Sequence, residues 1–166
     1  MLPGVRGQAG GGAVEEVGDG MSGQDAGAAA LVGAWRLVHW EQRGEDGAVT
    51  YPFGADARGY LLYTAQGVVS ATLSAVDRPP FGSDDFLAAG EAEWGRASRT
   101  YLAYCGRYEV RGDTVVHHVE LCSFPNWVGT DLERSLEFAD GRLVLSTPPI
   151  VLGGVRQTAH LIWERP

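Results

Sequence analysis

A chain of 166 residues with 45% hydrophobic residues is long enough for one domain with a sizeable core and too short for two. Its 13 basic and 21 acidic residues give a formal charge of −8 and a pI near 4.9, so no basic surface is available to track nucleic acid or an anionic membrane. Every basic residue is Arg, which excludes a Schiff-base lysine and the lysine of a phosphate-binding loop.

No apolar run reaches the roughly 18 residues of a membrane span. Residues 1–30 hold nine Gly, the acids Glu15, Glu16, Asp19 and Asp25, and the single base Arg6. That composition buries little and reads as a disordered tail, with the folded domain over 31–166. It lacks the charged start and apolar stretch of a secretory signal, so the expected location is the cytoplasm and Cys105 and Cys122 are expected as free thiols.

From residue 31 onward, turn signals recur at Asp46-Gly47, Gln66-Gly67, Gly112-Asp113, Asp140-Gly141 and Gly153-Gly154. The runs between them are rich in Val, Leu, Tyr, Thr and Trp, the punctuation of an antiparallel all-β domain. Eight strands are expected, at 33–43, 59–64, 68–75, 104–111, 114–123, 130–138, 142–147 and 156–164, with a short ninth at 49–51. One helix interrupts them, between the third and fourth strands. Over 84–103, Gly90, Trp94, Ala97 and Tyr101 follow helical spacing, and Asp84 and Asp85 stand where a cap belongs.

Turns fix register, so facing residues follow from the sequence. A two-residue turn at Gly112-Asp113 sets Tyr108 opposite His117, Gly106 opposite Val119 and Tyr104 opposite Leu121. A second at Asp140-Gly141 sets Leu136 opposite Leu145 and Arg134 opposite Thr147. Joining the hairpins through residues 124–129 places His117 beside Leu136 and Val119 beside Arg134. The inner face then carries Tyr104, Gly106, Tyr108, His117, Val119, Leu121, Leu132, Arg134 and Leu136. Arg107, Glu109, His118, Glu120 and Glu133 fall outside, together with both cysteines. A closed meander of eight strands is just wide enough to be packed solid or to hold one small ligand.

Certain ordered motifs stand out: Gly33-Ala34-Trp35, Tyr51-Pro52-Phe53-Gly54, Gly59-Tyr60-Leu61-Leu62-Tyr63, Gly106-Arg107-Tyr108-Glu109-Val110, His117-His118-Val119-Glu120, Phe124-Pro125-Asn126-Trp127-Val128-Gly129-Thr130 and Thr147-Pro148-Pro149. In this order, over 31–165, the chain resembles the lipocalin-like domain family of bacteria, a branch of the calycin barrels. The resemblance implies an eight-stranded barrel with a ligand pocket, in which Trp35 packs at the closed end against Arg165 or Arg156. Related barrels include binders and cofactor-free cyclases, so the resemblance leaves catalysis open.

Two charge-capable groups on an apolar inner face need an explanation. His117 is either a general acid or base, or a neutral core histidine bonded to a tyrosine hydroxyl. Arg134 either holds a carboxylate, enolate or phenolate, or forms an internal ion pair. The expected site therefore comprises His117, Arg134 and Tyr108 as catalytic groups. Tyr104, Gly106, Val119, Leu121 and Leu136 form its wall, Asn126 and Trp127 its rim, and Trp94 and Tyr101 the helix that closes it. Gly106 reads as a gap beside Arg134 that leaves room for a ligand. Alternation sends His117 and His118 to opposite sides of the sheet, so no metal site is expected. No cofactor is implied. The leading reading is a cofactor-free cyclase or isomerase of secondary metabolism acting on a small, mostly apolar organic molecule; the alternative is a non-catalytic binder or carrier. A homodimer is left open.

Overall fold

The computed structural model describes residues 23–152 and 154–166. Its elements are α1 (Gly23–Leu31), β1 (Gly33–Gly44), β2 (Val49–Thr50), β3 (Arg58–Tyr63), β4 (Val68–Ser74), α2 (Glu91–Arg99), β5 (Tyr101–Arg111), β6 (Thr114–Cys122), β7 (Asp131–Ala139), β8 (Arg142–Ser146), β9 (Ile150–Leu152) and β10 (Val155–Glu164). All pairings are antiparallel, and β1 pairs with β10 to close an eight-stranded barrel in the order β1-β3-β4-β5-β6-β7-β8-β10. The expected barrel and its short extra strand are present; β2 lies against β1, and a further strand, β9, lies against β10. No helix among the described residues is long and apolar enough to cross a membrane.

The expected tail and the folded chain divide differently. The helix α1 occupies part of the stretch read as tail, and Leu31 at its end is fully buried. Residues 1–22 lie outside the described residues. The helix expected over 84–103 shrinks to Glu91–Arg99. Asp85 turns its carboxylate to the Leu87 N–H at 3.0 Å and Ser83 Oγ accepts from the Asp85 N–H at 3.1 Å, local bonds that compete with a helix. The Glu93 carboxylate instead accepts from the Gly90 N–H at 3.0 Å and starts the helix there. Tyr101 already pairs with Ser74 as the first residue of β5.

The two hairpin turns set the register expected near them, with Tyr108 opposite His117 and Leu136 opposite Leu145. Two departures follow. A bulge in β6 makes Glu120 an extra residue, so that beyond Gly106 opposite Val119 the pairs become Cys105 with Leu121 and Tyr104 with Cys122. Leu121 is thereby turned out to 67% exposure, and Cys122 packs against the core. Between β6 and β7 the ladder slips by four residues from expectation, to His117 opposite Leu132 and Val115 opposite Arg134. The cause is a wider loop: Val119 already bonds Thr130 and Gly129, and residues 120–129 hold the bulge and a 3-10 turn, Pro125–Trp127. An even slip keeps each side chain on its own face.

The poles of the barrel differ. The connections 64–67, 112–113 and 140–141 are tight turns at one pole, where α1 also sits. There the Trp35 indole donates to the Leu31 carbonyl at 2.8 Å. The Arg165 guanidinium stacks 3.7 Å above the Trp35 ring and donates to the carbonyls of Ala30 and Ala34. Arg165, and not Arg156, covers that tryptophan. The longer connections, 45–57, 75–100, 123–130 and 147–154, all lie at the opposite pole.

Candidate functional site

The barrel encloses a cavity of about 560 Å³ beneath the long connections. Alternation along the strands sends Leu61, Ala71, Leu73, Leu102, Leu145 and Leu161 to its wall. Thr50 and Pro52 line it beside β2, and Ile150 and Val151 line it along β9, so the two extra strands shape its mouth. Trp40, Trp127 and Trp163 contribute flat aromatic surface. A volume of this size suits one small organic molecule. Among the described lining residues the only charged side chain is Arg134, and no carboxylate or imidazole reaches the wall.

His117 lies behind that wall, fully buried between two tyrosines. Its Nε2 is 2.7 Å from the Tyr63 hydroxyl and its Nδ1 is 2.8 Å from the Tyr104 hydroxyl. Burial lowers its pKa to about 3, helped by the Arg134 and His118 charges, so the ring is neutral and carries one proton. Burial likewise raises the pKa values of both tyrosines, which keep their protons. The shared protons can then be assigned. Tyr63 is 2% exposed and its hydroxyl bonds only His117 among the described residues, so it donates to Nε2. Nδ1 must therefore carry the ring proton and donate to the Tyr104 oxygen. By this assignment the Tyr104 hydroxyl accepts from His117 and keeps its own proton free to donate, on a side chain that lines the cavity. The mirror-image arrangement would bury the Tyr63 proton without an acceptor, at a cost of about 1–3 kcal/mol.

Three of the twelve residues read from the sequence line the cavity: Tyr104, Trp127 and Arg134. His117 touches it only through Tyr104. Tyr108 lies deeper, its ring edge against Tyr63 and its hydroxyl donating to the Thr64 carbonyl at 3.0 Å. Val119 and Leu136 face inward as core, outside the lining. Leu121 is turned out by the bulge, and Asn126 is exposed on the turn that carries Trp127. Gly106 leaves no gap. A Cβ there would lie 1.9 Å from the His118 carbonyl oxygen, so its missing side chain lets the bulged backbone of β6 approach. Trp94 packs on Phe81 and Phe86 in the 75–100 segment, and Tyr101 stands on the outer face under Arg78; neither lines the cavity.

The sequence reading missed Trp40, Gln42 and Trp163. Gln42 is 1% exposed, and among the described residues neither its amide nitrogen nor its oxygen has a partner; the indole N–H groups of Trp40 and Trp163 are likewise unpartnered there. All three residues line the cavity. Outside the barrel, Asp131 holds His118 at 2.6 Å and Glu109 holds it at 3.2 Å, and these acids raise its pKa. Among the described residues no cluster of His, Cys, Asp or Glu is arranged to hold a metal ion.

The 4'-hydroxy-3'-methoxypropiophenone carrier protein ppsC of Aspergillus oryzae is 36% identical to this chain over 106 residues, spanning 58% of this chain and 96% of the relative. That relative is fungal, so the likeness is not confined to bacteria. Among solved structures, the fluorescent protein UnaG aligns over 84% of this chain and 99% of its own, at 16% identity and a TM-score of 0.39. A point mutant of UnaG aligns over 82% and 96%, at 16% identity and a TM-score of 0.37. The model of the lipocalin-like domain matches residues 32–166, and the chain belongs to the lipocalin-like domain family.

Proposed function

We propose that this protein binds and carries a small, mostly apolar aromatic ketone without transforming it. The observation that carries this reading is the cavity wall: about 560 Å³ lined mostly by aliphatic and aromatic side chains, with no carboxylate or imidazole among the described lining residues to move a proton. His117, the strongest candidate for acid-base work, is sealed behind Tyr104 and neutral. Of the polar residues that line it, Arg134 with its guanidinium and Tyr104 with its hydroxyl bring donors suited to a carbonyl or an anionic oxygen. The cargo class is carried over from the relative's name.

The second reading is a cyclase or isomerase. It draws on the same two donors, because an O–H backed by His117 and a guanidinium beside it would stabilise an enolate as it forms. One experiment separates the readings. The protein is titrated with 4'-hydroxy-3'-methoxypropiophenone by calorimetry, and the ketone is then incubated with it in D₂O and recovered for mass spectrometry. The carrier reading expects saturable binding and no faster α-deuteration than in buffer. Accelerated exchange, or any conversion of the ketone, replaces the carrier by the enzyme.

A further inference from the structure

The polar groups of the cavity are not scattered. Gln42 on β1 is paired with Ala159 on β10. Ala159 and Thr147 exchange bonds at 2.9 Å, and Thr147 and Arg134 are the residues one step beyond the last β8–β7 pair, Ser146 with Ser135. Gln42 and Arg134 thus lie along one run of ladder pairs, three strands apart out of eight, with Ala159 and Thr147 on the two strands between them, and both line the cavity.

Their chemistry differs. At the Arg134 side two donors are offered beside the Thr147 hydroxyl: the guanidinium, one N–H of which is held by the Glu133 carbonyl at 2.7 Å, and, by the proton assignment above, the Tyr104 O–H. A carbonyl oxygen, which only accepts, fits there. At the Gln42 side an amide oxygen and an amide nitrogen are both buried without partners, with the unpartnered indole N–H of Trp40 two residues along the same strand. An amide needs both a donor and an acceptor opposite it, and a hydroxyl is the smallest group that supplies the two. No other side chain among the described residues bonds the Gln42 amide, and a group held in the cavity that Gln42 lines can supply both partners.

Resting on the carrier reading, we propose that the cavity reads both ends of its ligand: Gln42 takes a hydroxyl, and Tyr104 with Arg134, three strands away on the same cavity wall, takes a carbonyl oxygen. The ligand class is accordingly a hydroxyaryl ketone bound in one orientation. A cationic amine is refused, because the wall offers Arg134 and no acid.

Three probes test this on the full chain: 4'-hydroxy-3'-methoxypropiophenone, the same ketone without its hydroxyl, and the same phenol with a propyl group in place of the acyl group. Their dissociation constants are measured on the unsubstituted protein and on the Gln42→Met and Arg134→Met variants. Loss of the hydroxyl should weaken binding to the unsubstituted protein by at least about fivefold. In Gln42→Met it should have almost no effect. Loss of the carbonyl should matter in the unsubstituted protein and in Gln42→Met, and cease to matter in Arg134→Met. A hydroxyl penalty that survives in Gln42→Met, one that vanishes in Arg134→Met instead, or no hydroxyl penalty at all overturns the proposal and leaves the carrier reading intact. Failure of the parent ketone to bind removes the carrier reading and this inference with it. The melting temperature of unliganded Gln42→Met gives a readout independent of any probe. It should rise by a few degrees, since an unpaired buried amide is removed, and a fall would mean that the amide is satisfied within the fold.

Discussion

Two adjacent histidines are set apart by one step of strand alternation. His117 points in, and burial leaves it with a pKa of about 3; His118 points out, and its hydrogen bond to Asp131 holds its pKa above the ordinary value. The signs of their contributions to stability are opposite. Between pH 6.5 and about 3 the unfolded chain takes up a proton at position 117 and the folded chain does not, so the His117 contribution falls as the pH drops through that window. For His118 the folded chain holds the proton more tightly, so its contribution is complete below pH 6.5 and is lost as the pH rises through the folded value. Proton NMR of the imidazole Cε1 resonances should find His118 titrating above 6.5 and His117 flat from neutral pH down to the onset of acid unfolding. A His117 midpoint near 6.5 would contradict its sealed position. The sequence pattern poses the choice between a catalytic histidine and a core histidine bonded to a tyrosine, but it sets Tyr108 beside His117, whereas the bonding tyrosines are Tyr104 and Tyr63 and the Tyr108 hydroxyl goes to the Thr64 carbonyl. Tyr63 lies 54 residues away, on a strand for which no register had been drawn.

At the level of strands and helices, alternation was legible wherever it ran unbroken and misleading wherever an extra residue interrupted it. Tyr108, His117, Arg134 and Leu136 face inward as the turn chemistry demands. Beyond Glu120 the phase reverses, and Leu121 and Cys122 exchange places. A second irregularity, between Leu37 and His39 on β1, reverses the phase there too: Trp35 and Leu37 are buried on one parity, and Trp40 and Gln42 line the cavity on the other. On β6 the signal stands across the ladder, in the glycine at 106 that the bulged backbone requires; on β1 nothing in residue type announces the irregularity, and the Gln42 wall is not legible in the sequence. The segment 75–100 carries its own small aromatic cluster, with Trp94 between Phe81 and Phe86 and apart from the cavity. Quenching of tryptophan emission by 4'-hydroxy-3'-methoxypropiophenone should therefore keep nearly its full amplitude in Trp94→Phe and lose a large share of it in Trp127→Phe. The opposite ranking would place the ligand under α2.

On the scale of the whole molecule, stability and recognition are assigned to different poles. The closed pole holds Leu31 at 0% exposure and Trp35 at 3%, joined by the indole bond to the Leu31 carbonyl and capped by Arg165. Leu31→Ala should cost about 2–4 kcal/mol, a fall of roughly 5–15 °C in melting temperature, while ligand affinity measured well below that midpoint stays unchanged. A variant with normal stability would show that α1 is an ornament on the barrel. The barrel itself was readable from eight alternating runs and their Gly-containing turns. The start of the folded chain was not, because α1 is built from Gly, Ala and two polar residues and offers a large apolar side chain only at its last position, Leu31. What ties α1 down is set by tertiary structure: the Ala30 carbonyl is held by Arg165, 135 positions further along the chain.

The bond from Arg165 to the Ala30 carbonyl has a topological meaning. The first and last strands are hydrogen-bonded neighbours, and both ends of the barrel emerge at the closed pole. The backbone is in effect a ring that happens to be cut beside Trp35. A short linker joining those ends, with a new cut among the long connections at 75–100, would yield a circularly permuted barrel whose ladder is untouched and whose free ends flank the mouth, where a fused reporter would sense cargo directly.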